Sequence, residues 1–190
     1  ADDVYEWGQI DIEHITNQKY RTLHPDDGSQ LYRCGTLSEL IKVRENEDSK
    51  PVLLLGCGNS KFGEILAQHG FKGPLFQVDV ATSVVQSMSE RCEPWIKRGI
   101  MEIIEDDATQ LSAFEKNTIV ATIDKGLVDA LFCADEYNQI SSVMNSVHRV
   151  TRPGGVFCIF SFSQPEYLLP KMKSGLQSYE WEDIEVRELD

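Results

Sequence analysis

Three short stretches of this 190-residue chain combine residue types that can hold a ligand. The first is Gly56-Cys57-Gly58-Asn59-Ser60-Lys61-Phe62-Gly63, which follows the apolar run Val52-Leu53-Leu54-Leu55. Two glycines one residue apart permit a tight turn and let a ligand approach the backbone, because no Cβ stands in the way. The second is Asp79, with Val80 beside it, at the end of Leu75–Val80 and 21 residues past Gly58. A carboxylate there accepts hydrogen bonds from ribose hydroxyls, and such charge-assisted bonds contribute about 1.5–3 kcal/mol each. The third is Asp106-Asp107-Ala108, after Ile100–Glu105. Asp107 can accept from the amino group of an adenine. Each stretch also has a plain structural reading: a strand-to-helix turn, a helix N-cap near Thr82, and a cap before Leu111. Taken together, Gly56, Cys57, Gly58, Asn59, Asp79, Val80, Asp107 and Ala108 outline an adenosine pocket.

The glycine turn narrows the ligand. A dinucleotide fingerprint G-x-G-x-x-G needs glycine at position 61, so that a pyrophosphate can lie against the helix N-terminus. Lys61 stands there, and the next glycine is Gly63. A P-loop fails too, since Lys61 is not preceded by glycine and Phe62 follows it. What remains suits a ligand that presents a carboxylate and an amine in place of phosphates. A nicotinamide-dependent oxidoreductase stays as an alternative that Lys61 disfavours.

These turns need strands to end at one edge. Val52–Leu55, Leu75–Val80, Ile100–Glu105, Val120–Ile123 and Val156–Phe160 read as five strands; Val52–Leu55 is continuously apolar, as expected of a strand buried on both faces. Between them, Phe62, Ile65 and Leu66 recur at helical spacing up to Gly70, Val84, Val85, Met88 and Cys92 mark a second helix face, and Ile140, Val143, Met144 and Val147 form a third. Strands alternating with helices predict an α/β fold: a mostly parallel, twisted, Rossmann-like sheet with helices on both faces. Ligands of such sheets bind outside the carboxyl ends of the strands. Residues 1–50 are polar and broken by His24-Pro25-Asp26-Asp27-Gly28, a turn signal. They read as an N-terminal substrate-side segment, and residues 51–190 as the ligand-binding part of a single domain.

Net charge is −13, from 31 acidic and 18 basic residues. That field repels phosphate backbones, so nucleic acid is not the expected partner. No apolar run reaches the roughly 18–20 residues that cross a bilayer. The five cysteines, Cys34, Cys57, Cys92, Cys133 and Cys158, form no C-x-x-C and mostly sit in apolar surroundings. They read as buried thiols in a reducing compartment, the cytoplasm by default, with mitochondria open. The histidines show no metal-ligand or nucleophile-elbow spacing, and no metal is expected. The numbering begins at Ala1 and not at a methionine, which leaves room for a preceding segment.

The same residues resemble the class I S-adenosylmethionine-dependent methyltransferases. Leu55-Gly56-Cys57-Gly58-Asn59-Ser60 is similar to the first motif of that family, Val78-Asp79 to the second and Asp107-Ala108 to the third. Arg152-Pro153-Gly154-Gly155 resembles the turn before its fifth strand. Ile123-Asp124-Lys125-Gly126-Leu127-Val128-Asp129-Ala130 resembles the D-K-G signature of the methyltransferase-like protein-lysine methyltransferases, with Leu127 where that group usually carries threonine. The resemblance implies S-adenosylmethionine as cofactor, S-adenosylhomocysteine as product and a protein lysine as acceptor. A small-molecule acceptor, or a catalytically silent binding protein, is the alternative. It also implies that Asp124 stands beside the methyl group and touches the cofactor, with Lys125 as a second catalytic candidate. Asp129 stands in reach of Lys125 across one helical turn, so a surface ion pair between them is the competing reading. Tyr5 and Trp7 resemble an aromatic entry lid. The family's sheet ends in two further strands; 179–189 resembles the sixth, and the chain stops at Asp190 without sequence for a seventh.

Overall fold

The structure is a computed structural model that describes residues 51–68 and 70–174, together with the backbone of two short strands at 22–23 and 30–31. Contacts divide the chain into two compact units, Ser49–Glu180 and a second formed by 1–48 with 181–190. In the second unit, β1 (Thr22–Leu23) pairs antiparallel with β2 (Gln30–Leu31), either side of the expected His24–Gly28 turn. The lid candidates Tyr5 and Trp7, Cys34 and the strand expected at 179–189 lie outside the described residues.

The larger unit is built on a five-stranded parallel sheet in the order β5-β4-β3-β6-β7. The strands are β3 (Val52–Leu55), β4 (Leu75–Asp79), β5 (Met101–Glu105), β6 (Ile119–Lys125) and β7 (Thr151–Phe160). Helices α1 (Phe62–Gln68), α2 (Thr82–Arg91), α3 (Glu93–Ile96), α4 (Leu127–Cys133), α5 (Tyr137–Val150) and α6 (Pro165–Ser174) complete it. All four residues of β3 are buried, because it is flanked by β4 and β6. The expected helix stripes face inward: Met88 and Cys92, and Ile140, Val143, Met144 and Val147, are all buried. Val128 of α4 and Leu168 of α6 pack with Ile140 and Met144 into one cluster against β7.

Two expectations change. The Pro153-Gly154-Gly155 turn does not precede the fifth strand but lies within it, as an irregularity: Ile119 pairs with Thr151 and Ala121 with Val156. Such a bulge bends one strand while keeping it paired. Cysteine burial is also uneven, for Cys57 and Cys92 are buried whereas Cys133 is exposed. No helix among the described residues is long and apolar enough to cross a membrane.

Candidate active site

Register puts the chemistry at one edge. Leu55 lies opposite Val78 on one side and Asp124 on the other, and Asp79 lies opposite Glu105. The residues that follow, Gly56, Val80, Asp106 and Lys125, therefore line the carboxyl edge. The strand order reverses between β3 and β6, the place where such sheets open a crevice.

The turn after β3 explains its own glycines. Gly56 has φ +51° and Gly58 φ +49°, left-handed values that other residues adopt only with strain. A Cβ on Gly56 would stand 2.9 Å from the Cβ of Leu127, at the start of α4. A Cβ on Gly58 would meet no protein atom within 4 Å, so that face of the turn is open. The third glycine of the fingerprint is absent at 61, yet its packing role survives two residues later. A Cβ on Gly63 would stand 2.6 Å from Gln77 Oε1, so glycine lets α1 lie close on β4. Beneath the turn is a cavity of only about 20 Å³ between Phe62, Gln77 and Lys125, room for one water. That cavity is too small for a nucleoside.

Asp79 is half-buried and shapes this crevice. Gly58 N donates to its Oδ2 at 2.9 Å and Ala81 N to its Oδ1 at 3.0 Å. The N-cap of α2 is Ala81, so Asp79 is not that cap. A carboxylate offers about four acceptor positions, and two are used, leaving capacity for ribose hydroxyls. Val80 beside it is 70% exposed, an apolar surface at the crevice. Asp107 closes a turn as the structural reading anticipates: Thr109 N and Thr109 Oγ1 donate to its Oδ1 at 2.8 and 2.7 Å. Those bonds lower its pKa. Its Oδ2 holds only a long 3.4 Å contact from Gln110, so it too retains acceptor capacity. Ala108 adds its carbonyl, taken by Ser146 Oγ. The open glycine face, the spare lone pairs and the exposed Val80 fit S-adenosylmethionine.

On the other side of the switch point the carboxylates behave differently. Asp124 is fully buried; Leu127 N and Val128 N donate to its two oxygens at 2.8 and 3.0 Å. It caps α4 after Gly126, whose φ is +98°. Burial pushes its carboxyl up to about 6, against those two hydrogen bonds. Lys125 lines the small cavity, and burial lowers its pKa while Asp124 opposes the shift. The ion pair suggested between Lys125 and Asp129 is not what holds Asp129. That carboxylate is 2% exposed and accepts from Ser161 Oγ at 2.5 Å, Ser163 Oγ at 2.9 Å and Phe162 N at 3.1 Å.

Sequence reasoning missed Arg91. From the end of α2, its Nη1 donates to Asn59 O at 3.1 Å and its Nη2 to Ser60 O at 2.7 Å, while Nη2 pairs with the buried Glu64 at 2.8 Å. One guanidinium thus ties the glycine turn to α1 and α2. The available signal was an arginine three residues past Met88, on the buried face of its helix. Asp106 was passed over as well; it accepts from Asp107 N and Ala113 N, both at 2.8 Å. Cys57 is buried in the turn, and burial first, then Asp79, pushes its thiol up to about 12, so it is no nucleophile. Among the described residues no group of three His, Cys, Asp or Glu side chains is placed to hold a metal.

Comparison with known proteins agrees with this geometry. The family described as "Methyltransferase domain" matches residues 53–159, more than half of the chain. The eEF1A lysine and N-terminal methyltransferase of Bos taurus is 30% identical over 167 residues, covering 86% of this chain and 23% of that protein. Its Drosophila melanogaster homolog is 30% identical over 144 residues, covering 74% of this chain and 20% of that protein. The chain therefore spans about a quarter of the length of these curated relatives. Among solved structures, PH0226 of Pyrococcus horikoshii OT3 superposes with a TM-score of 0.50 at 26% identity, covering 73% of this chain and 58% of that one. A Methanosarcina mazei protein shares the fold at a TM-score of 0.51 and 19% identity, over 69% of this chain and 62% of its own. A glycine turn, two half-exposed acids on successive strands and a family match across all five strands of the sheet have one common source: the chain belongs to the class I S-adenosylmethionine-dependent methyltransferases.

Proposed function

We propose that the chain methylates a lysine side chain of a protein, with eEF1A as the first acceptor to try. The reading is carried by the β3–β5 edge, where the open Gly58 face, Asp79 and Asp107 converge on one crevice beside the β6 turn. It is supported by relatives named as eEF1A lysine and N-terminal methyltransferases.

In this reading Gly56, Cys57, Gly58 and Asn59 face the amino-acid end of the cofactor. Asp79 accepts from the ribose, Val80 packs on the base and Asp107, with Ala108, meets its amino group. The cofactor supplies an electrophilic methyl group on a sulfonium. The acceptor amine must reach it neutral, which for lysine at pH 7 costs about 4.6 kcal/mol, being 3.4 units below its reference value at 1.36 kcal/mol each. Lys125 at the crevice edge adds a positive neighbour, which lowers the pKa of an incoming amine. Asp124 holds the Lys125-Gly126 turn through α4 and is a positioning residue. Orientation of the partners supplies much of the rest, about 7–11 kcal/mol in favourable cases.

The relatives' names also include an N-terminal acceptor. An α-amine, with a reference pKa of about 7.7–8.0, costs only about 1 kcal/mol to neutralise. Incubation with tritiated S-adenosylmethionine and recombinant eEF1A, followed by peptide mapping, tests both readings. Label on a lysine supports the proposal. Label that disappears when the acceptor's N-terminus is acetylated moves it to the α-amine, and no label on eEF1A overturns it.

A further inference from the structure

The buried carboxylate of Asp129 has an elaborate set of partners for a residue outside the cofactor half of the site. All three of its donors come from the turn after β7, 32 to 34 residues away. The turn is closed further by Ser163 N donating to Ser161 Oγ at 2.9 Å. An ionised carboxylate at 2% exposure is stable only when its lone pairs are satisfied, and here they fix one conformation of residues 161–163. What that conformation displays is Phe162, whose backbone N–H is bound to Asp129 while the residue remains 57% exposed. Phe162 is thus a large apolar residue held more than half exposed at the carboxyl edge of the sheet.

Its position is informative. Phe160, at the end of β7, lies opposite Lys125, so the 161–163 turn stands beside the β6 turn. The ribose and base acceptors lie across the switch point, on β4 and β5. The β7 side of the crevice is therefore left for the methyl acceptor. The chain then enters α6, where Pro165, Glu166, Leu169 and Pro170 line an open hollow of about 430 Å³. Glu166 is exposed, and the net charge of −13 favours a basic partner.

We propose that Asp129 and the 161–163 turn form the acceptor rim of the active site, with Phe162 as the substrate-contacting residue that packs the lysine stem. An aromatic face suits both ends of that side chain, since it packs against methylenes and tolerates an ammonium on approach. The proposal rests on the lysine reading given above and assigns residues to its acceptor side. Asp129 is a positioning residue that acts through the turn.

The test measures eEF1A binding by calorimetry with S-adenosylhomocysteine present, so that no turnover occurs, and steady-state constants with S-adenosylmethionine. Phe162→Ala is expected to weaken eEF1A binding and raise its KM by roughly tenfold. Cofactor affinity should stay unchanged, and Phe162→Tyr should restore the acceptor constants. The double variant Ser161→Ala with Ser163→Ala keeps Phe162 but loosens the turn, and is expected to lose acceptor affinity alone. Phe162→Ala with wild-type acceptor affinity would overturn the rim while leaving the lysine reading intact. If wild-type protein neither binds nor labels eEF1A, the acceptor reading itself falls and the rim falls with it.

Discussion

The two halves of the carboxyl edge use the same side chain in opposite ways. At the ends of β4 and β5, Asp79 and Asp107 are half-exposed, accept backbone and side-chain bonds, and keep lone pairs in reserve. On the β6 and β7 side, Asp124 and Asp129 are buried, and their oxygens are occupied by α4 and by the 161–163 turn. Burial, and not residue type or proximity to a motif, separates a carboxylate with lone pairs to spare from one whose oxygens are taken up by the protein. The D-K-G-x-x-D stretch carries its acids inward, while Lys125 lines the small cavity and the distant Phe162 stays exposed beside the β6 turn.

Substitution of each kind of acid should separate the halves. Asp129→Ala leaves the Phe162 N–H and two hydroxyls without their partner, and is expected to cost about 2–4 kcal/mol of stability in urea unfolding. Cofactor affinity should stay near wild type. Asp124 sharpens the contrast through pH. Because its folded pKa is raised to about 6 from 3.8, the native state binds the proton more tightly across that window. Unfolding free energy should therefore fall by about 2 kcal/mol as pH rises from 4 to 6, at no more than 1.36 kcal/mol per unit, and Asp124→Asn should flatten that slope. Asp79→Ala should do the reverse of Asp129→Ala. It should weaken S-adenosylmethionine binding roughly 10- to 100-fold by calorimetry, with a smaller change in melting temperature. If it unfolds the protein as much as Asp129→Ala does, the division between the halves is broken. The smallest effect is expected at Arg91: Arg91→Gln should weaken cofactor binding about fivefold by releasing Asn59 and Ser60.

The sequence made the cofactor half readable because its parts are local. An apolar run, a glycine pair and an acid at the next strand end each announce themselves within a few residues, and the positive φ values of Gly56 and Gly58 bear out why glycine stands there. Other contacts on both sides of the switch point depend on partners far apart in the chain. Asp129 meets residues 32 to 34 positions on, and Arg91 reaches back 31 and 32. Helix α4 is anticipated only as a single turn between Lys125 and Asp129, because it is seven residues long and its first N–H groups are held by an aspartate three positions before its first residue, which reads more readily as a catalytic signature. Helix α6 carries an internal Pro170, a residue that argues against a helix in any local reading. The bulge in β7 was hidden for a related reason, since Pro-Gly-Gly is turn chemistry wherever it falls.

The protonation of Cys57 bears on the durability of the catalyst. A sulfonium donor is an alkylating agent, and Cys57 sits in the glycine turn proposed to face it. Burial first, and then Asp79, hold the Cys57 thiol well above its ordinary range, so it stays protonated at neutral pH. A protonated, buried thiol is a poor target for alkylation, which in the proposed reaction leaves a sulfonium electrophile for the incoming amine.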